Sequence, residues 1–172
     1  PGDYLFTRCF NFQAGQTYNI EFFYRGSSTT VPSVLQLRVG SQALSTAMGD
    51  TLINLSSILN TTYLRASVNF TAPTTGTYVF GFAALTAPGT TNMFIDDFRV
   101  TFIPNQEAAI VAINSPVSGC DLGNVPFTIQ IRNTGALPIN GGLTASYQIV
   151  GNPNIITQNI DSLIAPGQLL TF

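Results

Sequence analysis

Apolar and polar residues alternate along most of this chain. Tyr18, Ile20, Phe22 and Tyr24 interleave with Asn19, Glu21, Phe23 and Arg25. Leu35, Leu37 and Val39 interleave with Gln36 and Arg38, and Leu64, Ala66, Val68 and Phe70 with Arg65, Ser67 and Asn69. Tyr78, Phe80, Phe82 and Ala84 follow the turn Pro73-Thr74-Thr75-Gly76. Side chains on a strand alternate between two faces, so each run predicts a half-buried strand. Many such strands parted by Gly, Pro, Asn and Ser turns predict an all-β, antiparallel sandwich. Residues 50–59 break the alternation, with apolar residues at Leu52, Leu55 and Leu59. That spacing suits a short helical turn or a packed loop.

The same counting isolates one carboxylate. If residues 93–102 form a regular strand, Phe94, Asp96, Phe98, Val100 and Phe102 share a face. Arg99, Thr101 and Asp97 share the other. A carboxylate on an apolar face must be paired, hydrogen-bonded or metal-bound. Asp96 is therefore expected to be buried and structurally essential, and Asp97 to be the more tolerant of the two.

Residues 104–107, Pro-Asn-Gln-Glu, read as a short, stiff linker between two modules, 1–103 and 107–172. The second set of strands begins at Ile110 and Ala112. It continues with Phe127, Ile129 and Ile131, then with Leu143, Ala145, Tyr147 and Ile149, and Asn133-Thr134-Gly135 and Ala165-Pro166-Gly167 make turns. These strands are too few for a complete sandwich. The chain is therefore expected to be a fragment that lacks a C-terminal strand of the second module.

Composition narrows the chemistry. The 172 residues are 45% hydrophobic and 8% charged, with a formal net charge of -2. Such a chain folds rather than remaining disordered. All six basic residues are arginine, and there is no lysine, histidine or tryptophan. Nucleic acid and anionic membranes find no basic footprint. No apolar run reaches the ~18 residues of a membrane helix. Without histidine or lysine, the commonest general base and the amine nucleophile are missing. Asp96 and Asp97 face opposite ways on one strand and cannot flank a glycosidic bond. We therefore expect no enzymatic activity. Cys9 and Cys120 lack any zinc or redox spacing. A Cys9–Cys120 disulfide, two buried free thiols, and bonds to other parts of a longer protein all remain open. Phe23, on the polar face of its strand, and Tyr63, beside a turn, are candidate sugar-stacking platforms, and packing roles are the alternative for both.

Several motifs carry a family resemblance. They are Asp3-Tyr4-Leu5-Phe6-Thr7, Ala14-Gly15-Gln16-Thr17-Tyr18 leading to Phe22-Phe23-Tyr24-Arg25, Gly76-Thr77-Tyr78-Val79-Phe80-Gly81-Phe82, and Ile95-Asp96-Asp97-Phe98-Arg99-Val100. In this order they resemble the galactose-binding-like jelly-roll domains of large secreted Bacteroidetes proteins, with Tyr4 in place of the usual tryptophan and Arg8-Cys9 in place of prolines. Such domains carry further strands before the first motif, so the resemblance implies that N-terminal strands of the first module are missing here. Residues 108–116, Ser118-Gly119-Cys120-Asp121-Leu122-Gly123, Ile131-Arg132-Asn133-Thr134-Gly135 and Leu163-Ile164-Ala165-Pro166-Gly167 are similar to the Ig-like, cell-adhesion-related domains that follow such jelly rolls.

The resemblance implies export, often by the type IX system, and display at the cell surface or release. It implies a non-catalytic adhesion or spacer segment, or a carbohydrate-binding module attached to a secreted enzyme. Partners would be neighbouring domains of the same protein and polysaccharide or surface glycan. It also implies a structural calcium ion held by Asp96, with Asp3 and Glu21 as further ligands; since calcium takes 6–8 oxygens, more would be needed. For Asp96 the alternative is hydrogen bonding to backbone N–H groups or an arginine. Thr51 and Ser162, each after an aspartate and before an aliphatic residue, look like Bacteroidetes O-glycosylation sites. Sequons begin at Asn54, Asn60 and Asn69.

Overall fold

The computed structural model describes residues 3–117, 119 and 125–172. The chain divides into two compact units, Pro1–Phe102 and Ile103–Phe172. Regular structure among the described residues is almost entirely strand, with one 3-10 turn at Ser45–Ala47. The all-β, antiparallel expectation holds.

In the first unit the strands are β1 (Asp3–Phe6), β2 (Phe10–Phe12), β3 (Thr17–Gly26), β4 (Ser33–Gly40), β5 (Met48–Ile58), β6 (Leu64–Thr71), β7 (Gly76–Ala84) and β8 (Met93–Ile103). One sheet runs β1-β7-β4-β5, and β2 continues the edge beside β7 where β1 leaves off. The other runs β6-β3-β8. The inner faces of both sheets supply a single core: Ile20 and Phe22 from β3, Ala66 and Phe70 from β6, Leu35, Leu37 and Val39 from β4, and Phe80 and Phe82 from β7. Aromatic rings span the gap between sheets. Phe22 meets Phe82 edge-on at 5.0 Å between centroids, and Phe98 stands 5.7 Å from Phe80 and 5.6 Å from Phe82. Edge-to-face contacts add to the burial energy of each ring. This is a β-sandwich built by the alternation read above.

Residues 50–59 form neither a helical turn nor a loop; they belong to strand β5. Its pairing with β4 shifts register three times, because Leu35 opposes Leu55 while Ser33 opposes Ile58, Arg38 opposes Thr51, and Gly40 opposes Met48. Extra residues on β5 break its period-two pattern. Ile53 and Leu55 oppose the inward Leu37 and Leu35 at the ordinary spacing of two, and the shifts on either side turn Leu52 and Ile58 inward as well.

The second unit holds β9 (Ala108–Ser115), β10 (Thr128–Asn133), β11 (Ile139–Asn140), β12 (Leu143–Gln148), β13 (Ile155–Ile160), β14 (Leu163–Ile164) and β15 (Leu169–Thr171). They pair as β15-β10-β9, β12-β13 and β11-β14. Ile129, Ile131, Ile139, Ile160 and Ile164 form its core. Apart from Ile103 at the end of β8, each described sheet draws its residues from one unit. Residues 104–107 are not a free tether but part of the second unit. Pro104 and Asn105 accept from the N–H groups of Ala136 and Leu137, and Glu107 accepts from that of Thr134.

The turn that receives this segment is organised by Asn133, whose side chain is fully buried. Its amide nitrogen donates to the carbonyls of Leu137 (2.9 Å) and Ile164 (2.8 Å), and its oxygen accepts from the N–H of Gly135 (2.9 Å). A buried amide is tolerable because it is so fully satisfied.

Candidate functional site

The outer face of the β6-β3-β8 sheet concentrates polar and aromatic side chains. Because Ile20 and Phe22 point into the core, Asn19, Glu21, Phe23 and Arg25 of β3 point out. Opposite them on β6, Asn69 pairs with Asn19, Ser67 with Glu21, and Arg65 with Phe23. Cross-strand neighbours on one face are close enough to interact. Asn19 Nδ2 donates to Ser67 Oγ at 2.8 Å and to Asn69 Oδ1 at 2.9 Å. Arg65 and Glu21 form the one ion pair found among the described residues.

At the other end of this face, Arg25 lies against two aromatic rings. Its guanidinium carbon is 3.9 Å from the centroid of Phe94 and 5.2 Å from that of Tyr63. Phe94, on β8, is 37% exposed and Tyr63, just before β6, is 43% exposed, so both rings are partly open to solvent. Phe23, half-buried, lies two residues before Arg25 on the same face. A cation over an aromatic face is attracted by the ring quadrupole, and arginine adds planar stacking. The result is a surface that sets aromatic rings beside polar side chains.

Phe94 reaches this surface because β8 is not a regular strand. Met93 and Ile95 pack against the core, and so do Phe98 and Val100. The inward positions therefore change parity between Ile95 and Phe98. Between them, Asp97 adopts a left-handed backbone with φ 49°. One extra residue in a strand, with a residue in the left-handed region, is the mark of a β-bulge. Aspartate tolerates that region better than most residues.

The bulge corrects the reading of Asp96. Asp96 and Phe94 do share a face, but it is the solvent face, and Asp96 is exposed rather than buried. Its Oδ1 accepts from the N–H of Asp97 at 2.8 Å, a backbone hydrogen bond made at the surface. Counting by two across residues 93–102 missed the extra residue. An αL-tolerant aspartate in mid-strand was the available signal.

The three carboxylates Asp96, Asp3 and Glu21 are not brought together. Among the described residues no group of three or more acidic, cysteine or histidine side chains could hold a metal ion. Glu21 is engaged by Arg65. Asp3, exposed at the start of β1, borders an open depression of about 570 Å³ with residues of the loop after β7. Thr51, on β5, and Ser162, in the turn before β14, are both exposed. Asn60 uses its amide to donate to the carbonyls of Tyr24 and Thr62. Cys9 is a free and exposed thiol rather than a buried one, and Cys120 lies outside the described residues.

Phe23 and Tyr63, singled out from sequence as aromatic candidates, both border this surface. Arg25 and Phe94 were not singled out. Arg25 was legible as an outward neighbour of Phe23 on β3. Phe94 was hidden by the bulge.

No protein-family model and no curated protein matches the chain. Among solved structures, a chain described as "CBM4 structure and function" aligns with 54% of this chain and 68% of its own length, at 14% identity and a TM-score of 0.39. That likeness is too distant to carry a function across. No helix among the described residues is long and apolar enough to cross a membrane.

Proposed function

We propose that this chain is a non-catalytic segment of a larger extracellular protein, and that its first unit binds glycan through the outer face of the β6-β3-β8 sheet. The observation that carries the reading is Arg25 lying against the exposed rings of Tyr63 and Phe94. Saccharides offer flat C–H faces to aromatic rings and hydroxyls to polar edges, and this surface supplies both. Phe23, Arg65, Asn19 and Asn69 extend it along β3 and β6. The first unit is read as a galactose-binding-like jelly roll and the second as Ig-like, on the sequence motifs. The same resemblance supports export and surface display. The absence of histidine and lysine from the chain favours binding over catalysis.

The test is a glycan array probed with the full chain. We expect one class of glycan to bind. Tyr63→Ala or Phe94→Ala should each weaken binding by about five-fold, the worth of roughly 1 kcal/mol per aromatic contact. A second reading, a spacer that presents other domains without binding glycan itself, is favoured by the two compact units. A blank array, or binding indifferent to both substitutions, would move the conclusion to that spacer.

A further inference from the structure

Resting on that glycan-binding reading, we infer that the ligand is a neutral glycan, held beside Phe94 by Arg25 as hydrogen-bond donor and Asp96 as acceptor. The charges of the face point this way. It carries three arginines, Arg25, Arg65 and Arg99, against three carboxylates, Glu21, Asp96 and the neighbouring exposed Asp97. The chain as a whole is at -2. A polyanion therefore meets no net positive field to steer or hold it.

Glu21 and Arg65 neutralise each other. Arg25, Arg99 and Asp96 remain without an ion-pair partner among the described residues. Arg25 can only donate, and its contact with the Phe94 ring holds the guanidinium in place before a ligand arrives. Asp96, when ionised, can only accept. One of its oxygens is fixed by the Asp97 N–H, which leaves the other free for a ligand. Asp96 follows Phe94 by two residues on the same face, roughly 7 Å along the strand.

A hydroxyl group both donates and accepts. Neighbouring hydroxyls of one sugar can accept from Arg25 and donate to Asp96 at once. The carboxylate of a uronic acid or a sulfate ester offers no hydrogen to Asp96, and like charges brought together at an interface oppose binding. The pair thus selects for hydroxyls and against acid groups.

The experiment is affinity gel electrophoresis of the full chain through two neutral polymers, galactomannan and mixed-linkage β-glucan, and two acidic ones, polygalacturonate and chondroitin sulfate. We expect a neutral polymer to retard the protein and neither acidic polymer to do so. Asp96→Asn should weaken that retardation by about ten-fold, as expected for a hydrogen bond to a charged group. Asp97→Asn, which keeps an αL-tolerant residue and the backbone N–H, should change it by less than about two-fold. Melting temperatures of both variants serve as the folding control, since both side chains are exposed. Retardation by an acidic polymer equal to or above the neutral ones would overturn the inference while leaving glycan binding intact. An unchanged Asp96→Asn would do the same. No retardation by any of the four would sink the inference, and if the array were blank too, the glycan reading with it.

Discussion

Asn133 and Asp97 are polar residues in unusual places, and the consequences of replacing them differ in sign. Asn133 satisfies three buried backbone groups with one side chain. Asn133→Ala takes the donor from the carbonyls of Leu137 and Ile164, while the Gly135 N–H keeps the Glu107 carbonyl, and each stranded group costs about 1–3 kcal/mol. We expect a loss of about 3 kcal/mol or more in urea unfolding. Asn133→Asp should do no better, because it turns a donor toward two carbonyls into a buried negative charge. A loss below about 1 kcal/mol for either would mean that the turn is held by something else. Asp97 lies at the surface with φ 49°. Asp97→Gly should be neutral or stabilising by up to about 1 kcal/mol, and Asp97→Val destabilising by about 1–2 kcal/mol, since a branched side chain fits that region worst. The same stability for both variants would refute the bulge geometry. Neither residue's role was legible in sequence. Asn133 was read only as part of a turn, and Asp96 was given the wrong face because its neighbour's backbone resets the count.

Strands were legible where their pairing is regular. β3, β4, β6 and β7 follow the alternation that predicts them, and each is at least eight residues long. β5 departs from the expectation because its extra residues reset the count on either side of Ile53 and Leu55. β11 and β14 are two residues long, and β1, β2 and β15 no more than four, too short for periodicity to register. The irregular end of the β4–β5 pair also sets a packing requirement. A Cβ on Gly40 would lie 2.2 Å from the carbonyl oxygen of Ala47 and 2.7 Å from the Met48 side chain. A Cβ on Gly76 would meet nothing within 4 Å. Gly40→Ala is therefore expected to cost about 1–3 kcal/mol, the usual range for overpacking. Gly76→Ala should be neutral or stabilising by a few tenths, through the unfolded chain. Thermal melts of the two variants side by side decide it, and equal melting temperatures would contradict the close approach at Gly40.

Two compact units, each with its own core, predict two unfolding events. Differential scanning calorimetry should resolve two transitions. Phe80→Ala, which empties a fully buried ring position in the first core, should lower one of them, with a cost of about 3–5 kcal/mol. Asn133→Ala should lower the other. A single transition shifted by both substitutions would show one cooperative molecule instead. With no histidine in the chain, melting and glycan binding are expected to be flat between about pH 6 and 8. Of the candidate site, the aromatic residues Phe23 and Tyr63 were legible from their positions on polar segments. Their meeting with Arg25 and Phe94 was not, because it depends on which strands become neighbours and on one extra residue in β8.

The contact between Arg25 and Phe94 also has a magnetic consequence. Protons near the guanidinium lie over an aromatic ring at 3.9 Å to its centroid, where the ring current shields them. The Arg25 Nε–H resonance should therefore stand upfield among those of only six arginines, with no lysine signals to crowd the spectrum. A ligand hydrogen-bonded to the guanidinium where it lies would shift that resonance without moving the group off the ring, so one side-chain signal can report occupancy of the face.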